Sequence, residues 1–220
     1  MSEDRPPTVG ILGAGALGSN IARGLSARGI RTTISNSRGP QSLAPLVEEL
    51  GPSVTAVTTA EAARADIVVL AVRWVDAPSV LGSLPRWGGR ILIDGTNAVE
   101  FLAPGSPGTM DPDNPLAGYG LKVVDLNGEL SSRVISGLAP GSKVVRAFQH
   151  LDISLLSDPE TPHGRRVLFY SGDDSEARAS VGRLIERMGF HGVDLGGLDV
   201  GAHLTQVPTG SLARTEFFAR

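Results

Sequence analysis

The sequence predicts an α/β protein built on a doubly wound parallel sheet, and three observations carry that prediction. Short apolar runs alternate with helical patterns from Val9 to Ala147. One run, Ile67-Val-Val-Leu-Ala-Val72, has no polar residue, as a strand buried on both faces requires. The third is Gly13-Ala-Gly15-Ala-Leu-Gly18, a G-x-G-x-x-G spacing that falls between the first strand and the first helix.

Val9 to Leu12 reads as the first strand, and the following helix carries Leu17, Ile21 and Leu25 on one face and stops at Gly29. Ile30 to Ile34 reads as the second strand. Leu43 to Leu50 is a helix closed by Gly51, with Pro45 marking a late start or a bend. Val54 to Val57 is a short third strand, and Thr59 caps a short helix through Ala63. The fourth strand is Ile67 to Val72, followed by a helix from Val75 to Leu84 that contains Pro78. Ile91-Leu-Ile-Asp94 is the fifth strand, with Gly95-Thr-Asn97 at its carboxyl end. The Pro- and Gly-rich stretch 104–120 reads as a mobile cover over a site or a surface excursion. Ser131 or Ser132 caps a helix through Leu138, and Lys143-Val-Val-Arg-Ala147 is the sixth strand.

Beyond residue 150 the character changes. Leu151 to Gly164 has no clear period, and Arg166 to Tyr170 reads as a strand. Gly172-Asp-Asp174 caps a helix with Val181, Leu184, Ile185 and Met188 on one face, closed by Gly189. Phe190 to Leu195 is a last strand. The tail from Leu198 has helical stretches broken by Pro208 and Gly210. The expected architecture is therefore a sheet domain over residues 1–150 and a small C-terminal α/β portion over 151–220 packed against it.

The chain has 220 residues, 41% of them apolar, enough for one sizeable core. A net charge of −3 offers no general attraction to nucleic acid or an anionic membrane. With no cysteine there is no disulfide, thiolate catalysis or cysteine-ligated metal. The N-terminal Met1-Ser-Glu-Asp-Arg-Pro-Pro7 is polar and leads into a strand, so no signal peptide is expected. No apolar run approaches the roughly 20 residues of a membrane helix. The expected location is the cytoplasm.

The glycine spacing has a mechanism. Gly13 permits a tight turn, Gly15 admits a pyrophosphate against the backbone, and Gly18 lets the helix approach the sheet. The helix N-terminus adds unpaired N–H groups and partial positive charge. Gly13, Ala14, Gly15, Ala16, Leu17 and Gly18 therefore form an expected dinucleotide site. An NAD site would place Asp or Glu about 20 residues further on, against the ribose 2′-hydroxyl. This chain has Ser35-Asn-Ser-Arg-Gly39 there, with no acid. The Ser37 hydroxyl, the Arg38 guanidinium and the Asn36 amide suit a 2′-phosphate, so NADP is expected over NAD.

Ligands of such sheets lie beyond the carboxyl ends of the strands. That rule puts Ala71, Val72, Arg73 and Trp74 beside the nicotinamide, with Trp74 reading equally as a packing residue. It puts Asn97 and Ala147 against the cofactor, and Phe148, Gln149 and His150, with Trp74, at the acceptor edge. Asn97 is a polar orienter, and His150 is the one histidine weighed as a donor to substrate. No metal site is expected, since no two of the four histidines have ligand spacing. Gly-x-Ser-x-Gly is absent. The Glu48-Glu49 pair reads as solvent-facing and Asp173-Asp174 as helix-capping.

Five segments then line up in order across nearly the whole chain: Val9 to Gly18, Asn36-Ser-Arg-Gly-Pro40, Ile91-Leu-Ile-Asp-Gly-Thr-Asn97, Val144-Val-Arg-Ala-Phe148 and Tyr170-Ser-Gly-Asp-Asp174. Together they resemble the NADPH-dependent reductases of the deazaflavin coenzyme F420. The resemblance implies a Rossmann domain at 1–150, a small acceptor-covering domain at 151–220, and direct hydride transfer between NADP(H) and F420. It implies that Ala14 to Leu17 hold the pyrophosphate, Ser37 and Arg38 the 2′-phosphate, and Val72, Arg73 and Ala147 the nicotinamide. Two departures fall at the acceptor edge: Gln149 where the family commonly has Asn, and Ala98 where it often has Pro. They leave other acceptors open on the same scaffold: a flavin, a ferric chelate, or a small imine or carbonyl compound. A reading from another class is a module that senses NADP without turnover. The expected partner is a small-molecule hydride acceptor, with no nucleic acid and no membrane, and the expected assembly is a homodimer.

Overall fold

The computed structural model describes residues 6–219. Most of the polar N-terminal stretch and the final residue lie outside the described residues. The chain opens with β1 (Val9–Leu12), α1 (Ala16–Ala27), β2 (Thr32–Ser35), α2 (Ala44–Leu50), β3 (Val54–Ala56), α3 (Thr59–Ala62) and β4 (Ile67–Leu70). It continues through α4 (Ala77–Gly82), β5 (Ile91–Asp94), β6 (Val99–Phe101), β7 (Leu121–Val123), α5 (Ser131–Leu138) and β8 (Lys143–Ala147). The last third supplies β9 (Glu160–Thr161), β10 (Gly164–Gly172), α6 (Ser175–Arg187), β11 (His191–Asp194), α7 (Leu198–Thr205) and β12 (Phe218–Ala219).

The main sheet runs β11-β10-β8-β5-β4-β1-β2-β3. From β3 to β8 every neighbouring pair is parallel. This is the doubly wound order, with its switch point between β1 and β4. The register aligns the carboxyl ends in one row: Leu12 pairs with Ser35 and with Leu70, Leu70 with Asp94, and Asp94 with Arg146. β1 and β4 are buried at every position, which is why their sequences are unbroken apolar runs.

Several boundaries differ from the sequence expectation, each for a local reason. The fourth strand ends at Leu70, and a 3-10 turn over Trp74–Asp76 precedes α4. Pro78 has no N–H to give, so it sits in the first turn of α4 rather than inside a longer helix. Thr58, not Thr59, caps α3: its hydroxyl accepts the Glu61 N–H while the Glu61 carboxylate accepts the Thr58 N–H, a closed capping box. Neither Ser131 nor Ser132 caps α5; both are buried, and Ser131 serves Arg146 instead. The 104–120 stretch is the tip of an antiparallel arm formed by β6 and β7. Asn114 holds that tip by donating from Nδ2 to the Leu121 carbonyl at 2.8 Å.

After residue 150 the chain extends the sheet from its edge. β10 pairs antiparallel with β8, placing Tyr170 opposite Ala147, and β11 then runs parallel to β10. The principal apolar cluster joins Ile21 and Leu25 of α1 to Leu156, Met188 and Phe190, so the first and last thirds share one core. Among the described residues no helix is long and apolar enough to cross a membrane.

Candidate functional site

The glycine turn has the geometry its spacing demands. Gly13 sits at φ +106°, and its N–H donates to the Ser35 carbonyl at 3.0 Å, tying the turn to the end of β2. A Cβ at Gly13 would lie 2.4 Å from the Ala71 carbonyl oxygen. A Cβ at Gly18 would lie 1.9 Å from the Gly13 carbonyl oxygen, so α1 packs on the turn at a distance no side chain allows. Gly15 is the opposite case: a Cβ there would meet nothing within 4 Å. It stands at the N-cap of α1, where no side chain caps the helix. The N–H groups of the first turn therefore face an open space suited to a phosphate.

That space belongs to a cleft of about 630 Å³, within the range of ligand sites. It is lined by Gly13 to Gly15, Asn36 to Arg38 and Ala71 to Arg73, the three groups that the sequence places at one strand edge. Among the described residues Arg38 has no ion-pair partner, and it is exposed at the cleft wall. Asn36 braces the turn from within. Its Oδ1 accepts the Arg38 N–H at 3.0 Å, and its Nδ2 donates to Ser42 Oγ at 2.9 Å. The amide thus shapes the turn that presents Ser37 and Arg38. Arg73 shares this cleft and is clamped by Asp76, with Nε–Oδ2 at 2.8 Å and Nη2–Oδ1 at 3.2 Å. The carboxylate raises its pKa further. Leu12 joins the lining from the end of β1, and Thr59, Asp76, Ser79, Val80 and Ser83 complete it. Sequence reasoning missed the last five, because they reach the cleft from α3, α4 and the segments beside them, an approach that carries no local signal.

The acceptor edge is arranged differently from expectation. Ala147 and Phe148 are 0% exposed, His150 1% and Gln149 6%. The antiparallel addition of β10 covers the end of β8 and turns these side chains into core. The expected direct contacts of Phe148, Gln149 and His150 with substrate, and of the Ala147 side chain with the nicotinamide, are therefore corrected to packing and internal hydrogen bonds. Gln149 donates from Nε2 to Thr205 Oγ1 at 3.1 Å. His150 Nε2 accepts the Phe169 N–H at 3.0 Å, and burial, with Arg146 nearby, pushes its pKa down to about 4. A neutral, enclosed imidazole is no proton donor. Trp74 is half-buried against the apolar cluster of Leu70, Leu81 and Leu92, the packing alternative.

Behind this edge lies Arg146, to which sequence reasoning assigned no role. It is wholly buried in β8, directly opposite Asp94. Its Nη1 donates to Asp94 Oδ2 at 3.2 Å and to Ser131 Oγ at 3.0 Å. Its Nη2 donates to Asn97 Oδ1 at 3.2 Å, and Asn97 Nδ2 donates to the Gln149 carbonyl at 3.2 Å. Burial lowers the guanidinium's pKa while Asp94 opposes the shift, and an arginine remains a cation throughout. The second Asp94 oxygen accepts both Thr96 N–H and Thr96 Oγ1–H, at 2.9 and 2.6 Å. The signal in the sequence is two charges, Asp94 and Arg146, inside otherwise apolar strands, which demands that each be paired. Gly95 sits alongside: a Cβ there would meet the Leu70 carbonyl at 3.0 Å, Leu17 Cδ2 at 3.2 Å and the Ala147 carbonyl at 3.8 Å. The carboxyl ends of β4, β5 and β8 thus pack closely against the start of α1.

A doubly wound sheet, an open, uncapped helix N-terminus at Gly15, and an acid-free second-strand end bearing Arg38 fit a Rossmann-type NADP-dependent oxidoreductase. The model of the family described as NADP oxidoreductase, coenzyme F420-dependent, matches residues 8–98. A hypothetical protein of Sinorhizobium meliloti, of solved structure, is 36% identical over all of this chain and 98% of its own, with a TM-score of 0.85. A protein of Arthrobacter sp. FB24, provisionally named an F420-dependent NADP-reductase, is 25% identical over 89% of this chain and 86% of its own, with a TM-score of 0.66. The Metalloreductase STEAP3 of Rattus norvegicus is 26% identical over 204 residues, 92% of this chain. The chain spans 36% of that relative's length.

Proposed function

We propose that this oxidoreductase transfers a hydride between NADP(H) and the deazaflavin coenzyme F420. The observation that carries the reading is the joining, in one cleft, of the open cradle at Gly15 with Arg38 at a strand end that lacks an acid. When bound, NADPH supplies the hydride from its nicotinamide ring. The chain's own part is to hold and orient. The first-turn N–H groups of α1, over Ala14 to Leu17, would take the pyrophosphate. Ser37 and Arg38 would take the 2′-phosphate, in a turn shaped by Asn36. Val72 and Asn97 would flank the crevice in which the two rings meet. The hydride passes from carbon to carbon and the proton that completes the reduced deazaflavin is taken from solvent, so positioning is the chain's main contribution, and it can supply roughly 7–11 kcal/mol of a barrier.

The family description and the Arthrobacter relative's name support F420 as the acceptor. A second reading, reduction of a ferric chelate, is favoured by the likeness to the rat metalloreductase. The deciding experiment offers NADPH deuterated at the nicotinamide C4 to the purified protein with F420, flavins, ferric chelates or small imines and carbonyl compounds. Turnover with F420, with deuterium carried into the reduced coenzyme, is expected. Turnover with a ferric chelate but not F420 establishes the second reading. NADPH binding without turnover of any acceptor leaves a sensing module.

A further inference from the structure

The Arg146 network ends on one side chain that is not buried. Asp94, Thr96, Ser131 and Arg146 are each between 0% and 2% exposed, whereas Asn97, at the carboxyl end of β5, is only partly buried. Its two polar atoms are not free to exchange places. Oδ1 accepts from Arg146 Nη2, a group that can only donate, and Nδ2 donates to the Gln149 carbonyl, a group that can only accept. A rotated amide would set donor against donor and acceptor against acceptor. The group left over on the open side is therefore the second Nδ2–H.

The backbone around it is held under strain to achieve this. Phe148 has φ +74°, a left-handed conformation rare for a bulky residue, at the position that delivers the Gln149 carbonyl to Asn97. A buried ion pair such as Arg146–Asp94 is weak evidence of a contribution to stability, because desolvation offsets the attraction. Arg146 Nε, moreover, has no partner among the described residues.

We infer that Arg146 is a positioning residue, fixing Asn97 so that its free N–H points at a carbonyl oxygen of the ligands in the hydride-transfer crevice. This rests on the reading of the cleft as an NADP(H) site with the acceptor beside β5 and β8. Asn97 would be the group in contact, and Arg146, acting through it, would never touch a ligand. Two ligands bring a carbonyl there: the nicotinamide carboxamide and the acceptor itself.

The test compares Asn97→Ala, Asn97→Asp, Arg146→Lys, Arg146→Met and the double variant Arg146→Met/Asn97→Ala in the full-length protein. Thermal midpoint, NADPH Kd by fluorescence, acceptor KM and kcat are measured for each. Asn97→Asp keeps an acceptor for Arg146 but removes both Nδ2–H donors, the one to the Gln149 carbonyl included, so kcat should fall about fivefold or more, as for Asn97→Ala, while the thermal midpoint reads any structural loss separately. A rise in NADPH Kd would assign the carbonyl to the carboxamide, and a rise in acceptor KM to the acceptor; either supports the inference. Arg146→Lys keeps a charge against Asp94 but loses the planar fork, and should lower kcat to the level of Asn97→Ala. Adding Arg146→Met to Asn97→Ala should cost little more, because both remove one device. Should Arg146→Met fail to fold, the lysine and aspartate variants decide. Wild-type kcat and KM in Asn97→Asp overturn the inference, as do fully additive losses in the double variant. A wild-type protein that binds NADPH but turns over no acceptor overturns the functional reading and this inference with it.

Discussion

His150 sits at the end of β8 with its ring centroid 5.1 Å from that of Phe169, and Nε2 holds the Phe169 N–H. In the folded chain its pKa is about 4; in the unfolded chain it returns to about 6.5. Between those values the unfolded chain binds the extra proton, so stability falls as pH drops from about 6.5 to about 4, and the loss levels off below. The effect is on the order of 3 kcal/mol. Urea midpoints at about pH 7 and about pH 4.5 should therefore fall further in the wild type than in His150→Gln. Equal falls would mean that the ring takes up protons in the folded state. Arg38 is the counterpart on the surface: exposed, unpaired among the described residues, and aimed by the Asn36 turn. Arg38→Glu should weaken NADPH binding about tenfold or more, the loss of a charged hydrogen bond, while NADH binding holds or improves. Calorimetric titration with both cofactors reads this directly, and an unaltered protein that binds the two equally would sink the NADP assignment.

At the scale of the element, β1, the glycine turn and α1 work as one unit, and its glycines have separable roles. Gly18 is needed for the fold, since any Cβ would meet the Gly13 carbonyl. Gly15 has open space above it and φ −78°, which any residue tolerates. Gly15→Val should therefore leave the thermal midpoint of the cofactor-free protein nearly unchanged and abolish its rise on adding NADPH. Gly18→Val should lower the midpoint of the cofactor-free protein itself. Thermal scans with and without NADPH separate the two, and a normal NADPH response in Gly15→Val would move the phosphate site elsewhere.

For the whole molecule, the question is whether the part after residue 150 folds by itself. β10 hydrogen-bonds to β8, α1 packs on the Ile153–Ser157 turn, and Leu156, Met188 and Phe190 share the apolar cluster of Ile21 and Leu25. A Cβ on Gly24 of α1 would lie 2.6 Å from the Leu156 carbonyl, so the contact is close along the backbone as well. With one apolar cluster spanning both parts and a continuous sheet, heating should give one cooperative transition whose calorimetric and van't Hoff enthalpies agree. Two resolved transitions would show that residues 151–220 form an independent unit.

What the sequence determined by itself is what local physics encodes. The glycine spacing forces a tight turn wherever it lies between a strand and a helix, and the β1–α1 unit follows. Unbroken apolar runs at Val9 and Ile67 report strands covered on both faces, and the residues Ser35 to Gly39 report the missing acid, hence NADP. Ile91–Asp94 and Lys143–Ala147 were legible to the residue, because their flanks are polar or turn-forming. Register and cover were not legible. That Asp94 faces Arg146, that β10 runs back along β8, and that Ala147 to His150 become core are decided by strand pairing between segments tens of residues apart. A short motif specifies which groups are present. Only the packed sheet decides which of them meet water, which meet a ligand and which meet each other, because burial and partnership belong to the assembled neighbours and not to the residue.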